Sequence, residues 1–339
     1  MKKTTILDIA RMANISPSSV SRVINDITGV KPETRRLVME IINQTGYQLN
    51  PPANGLGKRK INVVGLIIGD VRNPFYADIM YYIQKILQHS GYHTIFFNSE
   101  YNNKKEIECL TVVKQIGFSG VIMITALQST ELSEVIDKFP CPVVLLNRLI
   151  ENYNGSVVVL DNFQAGYMVT KHLIELGHPN IAFLAGPMNS TSSSQRVKGY
   201  LQALVNYSIP FKDDYIIQGD LTMDTGYQIA RNIIPRINTF PSAIICGNDL
   251  MAIGFLNCCK EHNIHIPEDF SIAGFDDIFI SRFQGIELTT IRQPTMKMAK
   301  KATELLLSKM KDPASPNQRI ILEPELIIRR TTAMYHKPG

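Results

Sequence analysis

The chain has 339 residues, 45% of them hydrophobic and 19% charged, which is ordinary for a globular protein and long enough for two or three domains. No apolar run reaches the roughly 18 residues of a membrane-spanning helix, so none is expected. The formal net charge of +5 is unevenly placed: residues 1–60 carry ten Lys and Arg against four Asp and Glu, and the rest carry 25 against 26.

A small basic end on a near-neutral body implies a polyanion-binding module attached to something else. The opening "MKKTTILDIARMANIS" has two lysines but no continuous apolar stretch, so it does not read as a secretory signal. The spacing predicts three short helices here. The first runs from about Ile6 to Met12, with Ile6, Ile9, Ala10 and Ala13 on one face, Thr5 placed to cap it and Asp8 in its first turn. After the turn "ANI", the second starts at Ser16 as N-cap with Pro17 at its first position, and ends near Asn25. The third runs from Lys31 to Thr45, with Leu37, Val38, Ile41 and Ile42 inward, and stops at Gly46. Helix, tight turn, helix and bracing helix is the helix-turn-helix layout of an all-α DNA-binding domain.

In that layout the second helix enters the major groove. Arg22 has the donors for a guanine edge, worth about 1–3 kcal/mol of discrimination. Ser16, Ser21, Asn25, Thr34 and Tyr47 are types that bond phosphates.

"TILDIARMANISPSSVSRVIN" with "VKPETRRLVMEIINQTGYQLNP" closely resembles the DNA-binding end of the lactose-repressor (LacI-type) family of bacterial transcriptional regulators. The resemblance continues through "NPFY", "VVLDN", "LGHPNIAFLAGP", "RVKGY", "CGNDLMAIG", "SIAGFDD" and "LTTIRQP", over nearly the whole chain. It implies base-contacting roles at Pro17 and Ser18, where this chain departs from the better-known members; Thr5, Gly29 and Asn50 complete the candidate DNA interface. In the linker "NPPANGLGKRK", Leu56 matches a leucine that wedges into the minor groove, and Ala53 a small packing residue. Pro51, Pro52, Gly55 and Gly57 imply a hinge that is disordered without DNA and orders weakly on it.

From Ile61 onward, β-branched runs alternate with amphipathic helices. "INVVGLIIG", "HTIFFN", "GVIMIT", "PVVLLN" and "VVVL" read as buried parallel strands, and "IAFLAG", "DYIIQG", "AIICG" and "FSIAGF" repeat the rhythm. This βαβ alternation implies doubly wound α/β sheets. Two such halves match the two-lobed periplasmic-binding-protein-like fold that the family shares. The expected division is a DNA-binding domain at 1–48, a hinge at 49–60 and an effector-binding and dimerisation domain at 61–339. Lobe one then takes about 61–161 plus 293–321, and lobe two about 162–290 plus 324–333.

Ligands bind beyond the carboxyl ends of strands in such sheets. Polar residues follow the strands: Asp70 and Asn73, Asn147 and Arg148, Asn248 and Asp249, and Asp276. They suit a small polyhydroxylated effector. The resemblance implies that Arg196, Asn248 and Asp276 grip it and that Phe75 lines its pocket. Asp249 and Asp277 also fit as helix caps, and Arg196 as a surface ion pair. There is no G-x-G-x-x-G after the first strand, no P-loop, no G-x-S-x-G and no metal-spaced His/Cys cluster, so no enzyme, cofactor or metal is expected. His178, in "LGHPN", reads as structural. Five scattered cysteines without ligand spacing read as reduced thiols of a cytoplasmic protein.

The expected function is a repressor of a carbohydrate-utilisation operon. It would bind a pseudo-palindromic operator in double-stranded DNA as a homodimer without tetramerising, and a sugar-type effector between the lobes would release it. The alternative is DNA binding tightened by a co-repressor, either a purine or a phosphorylated carrier protein. Purine-responsive relatives place an aromatic after "QGD" and an arginine after "GP"; here those positions hold Leu221 and Ser190. Asn147 stands where relatives commonly carry aspartate.

Overall fold

The computed structural model describes residues 4–24, 30–45, 47, 61–235 and 241–336. The chain divides into two units, residues 1–59 and 60–339.

The first unit contains α1 (Ile6–Met12), α2 (Pro17–Ile24) and α3 (Pro32–Thr45). Thr5 and Asp8 close a reciprocal capping box at the start of α1. Asn14, at φ +51°, makes the left-handed corner between α1 and α2, a conformation asparagine tolerates well. Ser16 caps α2 by accepting the Ser19 amide at 3.1 Å, and Pro17 takes the first helical position. Ile9, Ala10, Ala13, Val20, Val23, Val38, Ile41 and Ile42 form the core. Leu37 is not part of it: it is 42% exposed. Two short helices cover only the narrow stripe of Val38, Ile41 and Ile42, and Leu37 lies at its edge.

The second unit holds two six-stranded sheets. The first comprises β1 (Ile61–Ile68), β2 (His93–Asn98), β3 (Phe118–Met123), β4 (Val143–Leu146), β5 (Ser156–Leu160) and β11 (Arg319–Leu322), in the order β11-β5-β4-β3-β1-β2 and parallel throughout. The second comprises β6 (Ile181–Ala185), β7 (Ile216–Gln218), β8 (Ala243–Cys246), β9 (Ser271–Asp276), β10 (Thr289–Arg292) and β12 (Glu325–Ile327), in the order β12-β10-β9-β8-β6-β7, with only the β10–β12 pair antiparallel. Around the first sheet lie α4 (Pro74–His89), α5 (Asn103–Ile116), α6 (Thr130–Asp137) and α11 (Thr295–Lys311); around the second lie α7 (Asn162–Glu175), α8 (Thr191–Asn206), α9 (Met223–Ile233) and α10 (Asp249–Glu261). The chain passes from one sheet to the other after β5, after β10 and between β11 and β12.

β2 is not a buried strand. It ends the sheet order, and Ile95 and Phe96 are 44% and 57% exposed. An edge strand has a neighbour on one side only, so an apolar run does not ensure its coverage. β1, inside the sheet, buries every residue from Val64 to Ile68.

Two features position the site. α7 and α8 pack backbone to backbone: a Cβ on Gly166 would collide with the Arg196 carbonyl, and one on Gly199 with the Phe163 carbonyl. The "RVKGY" glycine therefore sets the depth at which Arg196 enters. Second, one apolar cluster includes Ile253 and Ile278 from the second sheet's side along with Phe75, Tyr76 and Ile79 from the first, so the lobes touch through apolar contacts. Among the described residues no helix is long and apolar enough to cross a membrane.

Candidate functional site

Two regions carry functional side chains. On α2, Val20 and Val23 point into the core, while Pro17, Ser18 and Arg22 are exposed and Ser21 is half-buried. The Ser16 hydroxyl is shared between the cap and the Ser18 and Ser19 hydroxyls, at 2.8 and 2.9 Å. Thr5 commits its backbone amide and its hydroxyl to Asp8 at 2.9 and 2.6 Å. Thr34 and Tyr47 are half-buried, with Tyr47 against the helical core. Arg11, Arg22, Lys31 and Arg36 are all exposed on this small unit. Asn25, Gly29, Asn50, Ala53 and Leu56, and the hinge as a whole, lie outside the described residues.

In the second unit, strand ends from both sheets converge on one narrow space of about 20 Å³, room for about one water molecule. Asn73, Phe75, Asn147, Arg148, Arg196, Leu221, Asn248 and Asp276 all line it. Tyr76, Ser192, Ser193 and Gln293 line it too, and the sequence reading missed them. The serines sit at the start of α8, one turn before Arg196, so α8 periodicity could have found them. Gln293 follows β10 just as Asp276 ends β9, and the "IRQP" stretch held that signal.

Asp70 is not among the lining residues. Arg72 binds its carboxylate through Nε and Nη2 at 3.0 and 2.8 Å, which holds its pKa below the usual carboxylate range. It faces an adjoining cavity of about 640 Å³ with Tyr101, Leu221 and Thr222. Asp70 and Asp276 therefore do not line the same space.

On the second-lobe wall, Arg196, Asp276 and Asn248 have protein partners, while Gln293 keeps its Oε1 buried and unmet. Arg196 is 6% exposed, which rules out a surface ion pair. Its Nε donates to Asn162 Oδ1 at 2.8 Å and its Nη1 to the Gly247 carbonyl at 2.7 Å. Its guanidinium lies 4.4 Å from the Phe275 ring centre, and Nη2 is 4.0 Å from Asp276 Oδ1. Gln293 Nε2 donates to the same Asp276 oxygen at 2.7 Å. Burial pushes the Asp276 carboxyl up to about 6, against the opposing pull of Arg196 and Gln293. Asn248 caps α10 by accepting the Met251 amide at 2.9 Å, and its Nδ2 donates to the Leu221 carbonyl at 2.8 Å.

Asp249 and Asp277 do not serve as caps. Asp249, fully buried, accepts from the Ile278 amide and from the Ser281 and Thr290 hydroxyls, stapling the segment after β9 to β10. Burial raises its carboxyl to about 8. Asp277 is held by Arg292 at 2.8 Å and by Arg329.

The first-lobe wall differs. Asn147 Oδ1, Arg148 Nε and Arg148 Nη1 are buried without hydrogen-bond partners. Backbone strain gathers on both walls: Asn147 on the first, and Leu221 and Asp276 on the second, have φ of +69°, +70° and +115°. Such conformations in residues other than glycine persist where surrounding contacts over-determine them, commonly at ligand sites.

His178 lies elsewhere, bound to the Ser242 hydroxyl and the Ala333 carbonyl, its pKa pushed down to about 4 by burial. Four cysteines are buried and Cys109 half-buried, all as free thiols. Among the described residues no three His, Cys, Asp or Glu side chains converge to hold a metal.

Comparison with known proteins adds the family. The profile "Bacterial regulatory proteins, lacI family" matches residues 5–50, and "Periplasmic binding protein-like domain" matches residues 170–332. The chain is 33% identical to catabolite control protein A of Priestia megaterium, over 97% of this chain and 99% of that one. It is 30% identical to the HTH-type transcriptional regulator DegA of Bacillus subtilis (strain 168), over 98% of each. The solved complex of the transcriptional regulator CelR with cellobiose superposes with a TM-score of 0.73 at 26% identity, over 97% of this chain and 99% of that one.

Proposed function

The chain belongs to the lacI family of bacterial transcriptional regulators, and we propose that it represses a carbohydrate-utilisation operon and is released from DNA by a small sugar-type effector bound between its lobes. The observation that carries this reading is the convergence of Arg196, Asp276, Asn248 and Gln293 at the strand ends, in a space walled by the other lobe. Paired donors and acceptors held at fixed angles suit vicinal hydroxyls. The CelR relative, solved with cellobiose, supports the same class.

The DNA contacts in this proposal are those of α2. Pro17, Ser18, Ser21 and Arg22 face bases or phosphates, with Thr34 and Tyr47 beside them. The protein acts in the cytoplasm as a homodimer on a pseudo-palindromic operator, and the exposed Tyr81, Ile95 and Phe96 of the first lobe support such an interface. An effector changes DNA affinity only if it prefers one arrangement of the lobes. The 20 Å³ space is too small for a sugar, so a bound sugar parts the lobes and alters the spacing of the two heads. A purine co-repressor has less support: Leu221 offers no ring face, and the Ser190 hydroxyl is buried 2.9 Å from Ser192.

The test combines two titrations on the full chain. Operator half-sites are selected from random duplex DNA, and binding to the selected site is then measured with and without each sugar of a millimolar panel. Weakened operator binding with one sugar class is expected. Operator binding that every sugar leaves unchanged, and that a purine or a phosphorylated carrier protein strengthens, would overturn the proposal.

A further inference from the structure

The first-lobe wall of the cleft holds a cation with no counter-charge. Arg148 is 2% exposed, yet its Nε and Nη1 have no hydrogen-bond partner. Its guanidinium lies 5.1 Å from the centre of the Tyr101 ring, which steadies one face and supplies no charge. Among the described residues no carboxylate comes within ion-pair distance of it. Asp276 is already engaged by Gln293 and Arg196. The other buried carboxyl nearby is Glu106, whose Oε2 takes the Leu127 amide at 3.4 Å while its Oε1 has no partner. Burial raises the Glu106 pKa to about 8 against the pull of Arg148, and no ion pair forms between the two. The residues lining the central space thus carry two arginines against one aspartate.

A buried guanidinium without a partner is costly, because its hydration has been removed and nothing replaces it. Unmet buried donors on a ligand-site wall mark where a ligand atom belongs. Arginine also matches the oxygens of carboxylates and phosphates better than it matches a neutral hydroxyl.

We infer that the effector is an anionic polyol, a sugar acid or a sugar phosphate, and that Arg148 receives its charged group. This rests on the reading of the cleft as the effector site. Arg196 and Asp276 hold the polyol body from the second lobe, and Arg148 neutralises the anion from the first. Occupation of the cleft then depends on a charge that only one class of sugar supplies.

The first arm of the test needs no effector. Thermal unfolding of the full chain is compared with that of Arg148→Met, in chloride buffer and with inorganic sulfate or phosphate at matched ionic strength. Arg148→Met, of similar length and uncharged, is expected to raise the Tm of the second unit by roughly 2–4 °C. The anions are expected to protect the wild type and not the variant. Should Arg148→Met fail to fold, Arg148→Lys, which keeps the charge, retains the anion protection. A lowered Tm in Arg148→Met, or equal protection of both proteins by the anions, would overturn the inference.

The second arm measures binding of glucose, glucuronate and glucose 6-phosphate. At least tenfold tighter binding of one charged sugar than of glucose is expected, with the preference lost in Arg148→Met, and the two charged probes separate carboxylate from phosphate. Operator release by a neutral sugar alone would sink this inference and leave the sensor reading standing. Anion protection through Arg148 without any effect on operator binding would leave an anion site there but refute the sensor reading, and with it an effector role for the anion.

Discussion

The two walls of the cleft are built on different principles. On the second-lobe wall, Arg196, Asn248 and Asp276 each have fixed protein partners, Gln293 leaves only its Oε1 unmet, and Asp249 behind them staples three groups at once. On the first-lobe wall, Asn147 and Arg148 are as deeply buried but leave donors and acceptors unmet. A satisfied polar network is rigid and costs little further to bind against, whereas an unsatisfied one gains most when a partner arrives. One wall is therefore a template present before the ligand, and the other becomes favourable only with it. Under the proposed function, this asymmetry would give an effector differential affinity for two lobe arrangements, which release from DNA requires.

The sharpest test sets the two arginines against each other. Arg196→Met should destabilise the second unit by about 3–5 kcal/mol, because it strands Asn162, the Gly247 carbonyl and the Asp276 carboxylate; Arg148→Met should stabilise it. Chemical denaturation of both variants measures this, and a shift of the same sign in both would erase the distinction between the walls. Gly166→Ala, which forces α7 off α8, should cost about 1–3 kcal/mol and weaken effector binding through Arg196 without touching the ligand. Effector titration beside denaturation separates that effect from simple loss of stability.

Arg22→Ala is the control outside both walls. It should remove about 1–3 kcal/mol of operator discrimination, and effector affinity measured by calorimetry should not move. Unchanged operator affinity would refute the assignment of α2.

A further effect is a pH dependence. Burial raises the Asp276 carboxyl to about 6 in the folded chain, from about 3.8. The folded state therefore holds a proton that the unfolded state has released, and this contribution to stability is lost as pH rises from about 4 to about 6, at up to roughly 1.4 kcal/mol per pH unit. Subtracting the Asp276→Asn curve from the wild-type curve isolates it, and a difference that grows with pH would show the carboxylate to be favoured by its partners instead.

Much of this was legible in the residues themselves. Thr5, Asp8, Ser16 and Pro17 mark helix starts through contacts within one turn, and those contacts are present. The β-branched runs from Ile61 onward became strands because a buried parallel strand needs apolar residues on both faces. Polar residues placed just after such strands end up at the carboxyl edge wherever the sheet sends it. Leu37 and β2 show where that logic stops. Their apolarity is a local property, but coverage depends on how many neighbours the fold supplies, and Leu37 lies at the edge of a narrow stripe while β2 lies at the edge of a sheet.

The set of elements, the two-part plan and the residue types at each strand end follow from periodicity and contacts a few residues long. Which of those residues meet depends on the packing of the whole chain. Tyr76, Ser192, Ser193 and Gln293 join the site, and Asp70 leaves it for Arg72, because three passages of the chain between the sheets bring together ends far apart in sequence. The same packing also decides which polar atoms are satisfied. Arg196 and Arg148 are the same residue type, and the difference between them lies in the partners the fold places within hydrogen-bond reach.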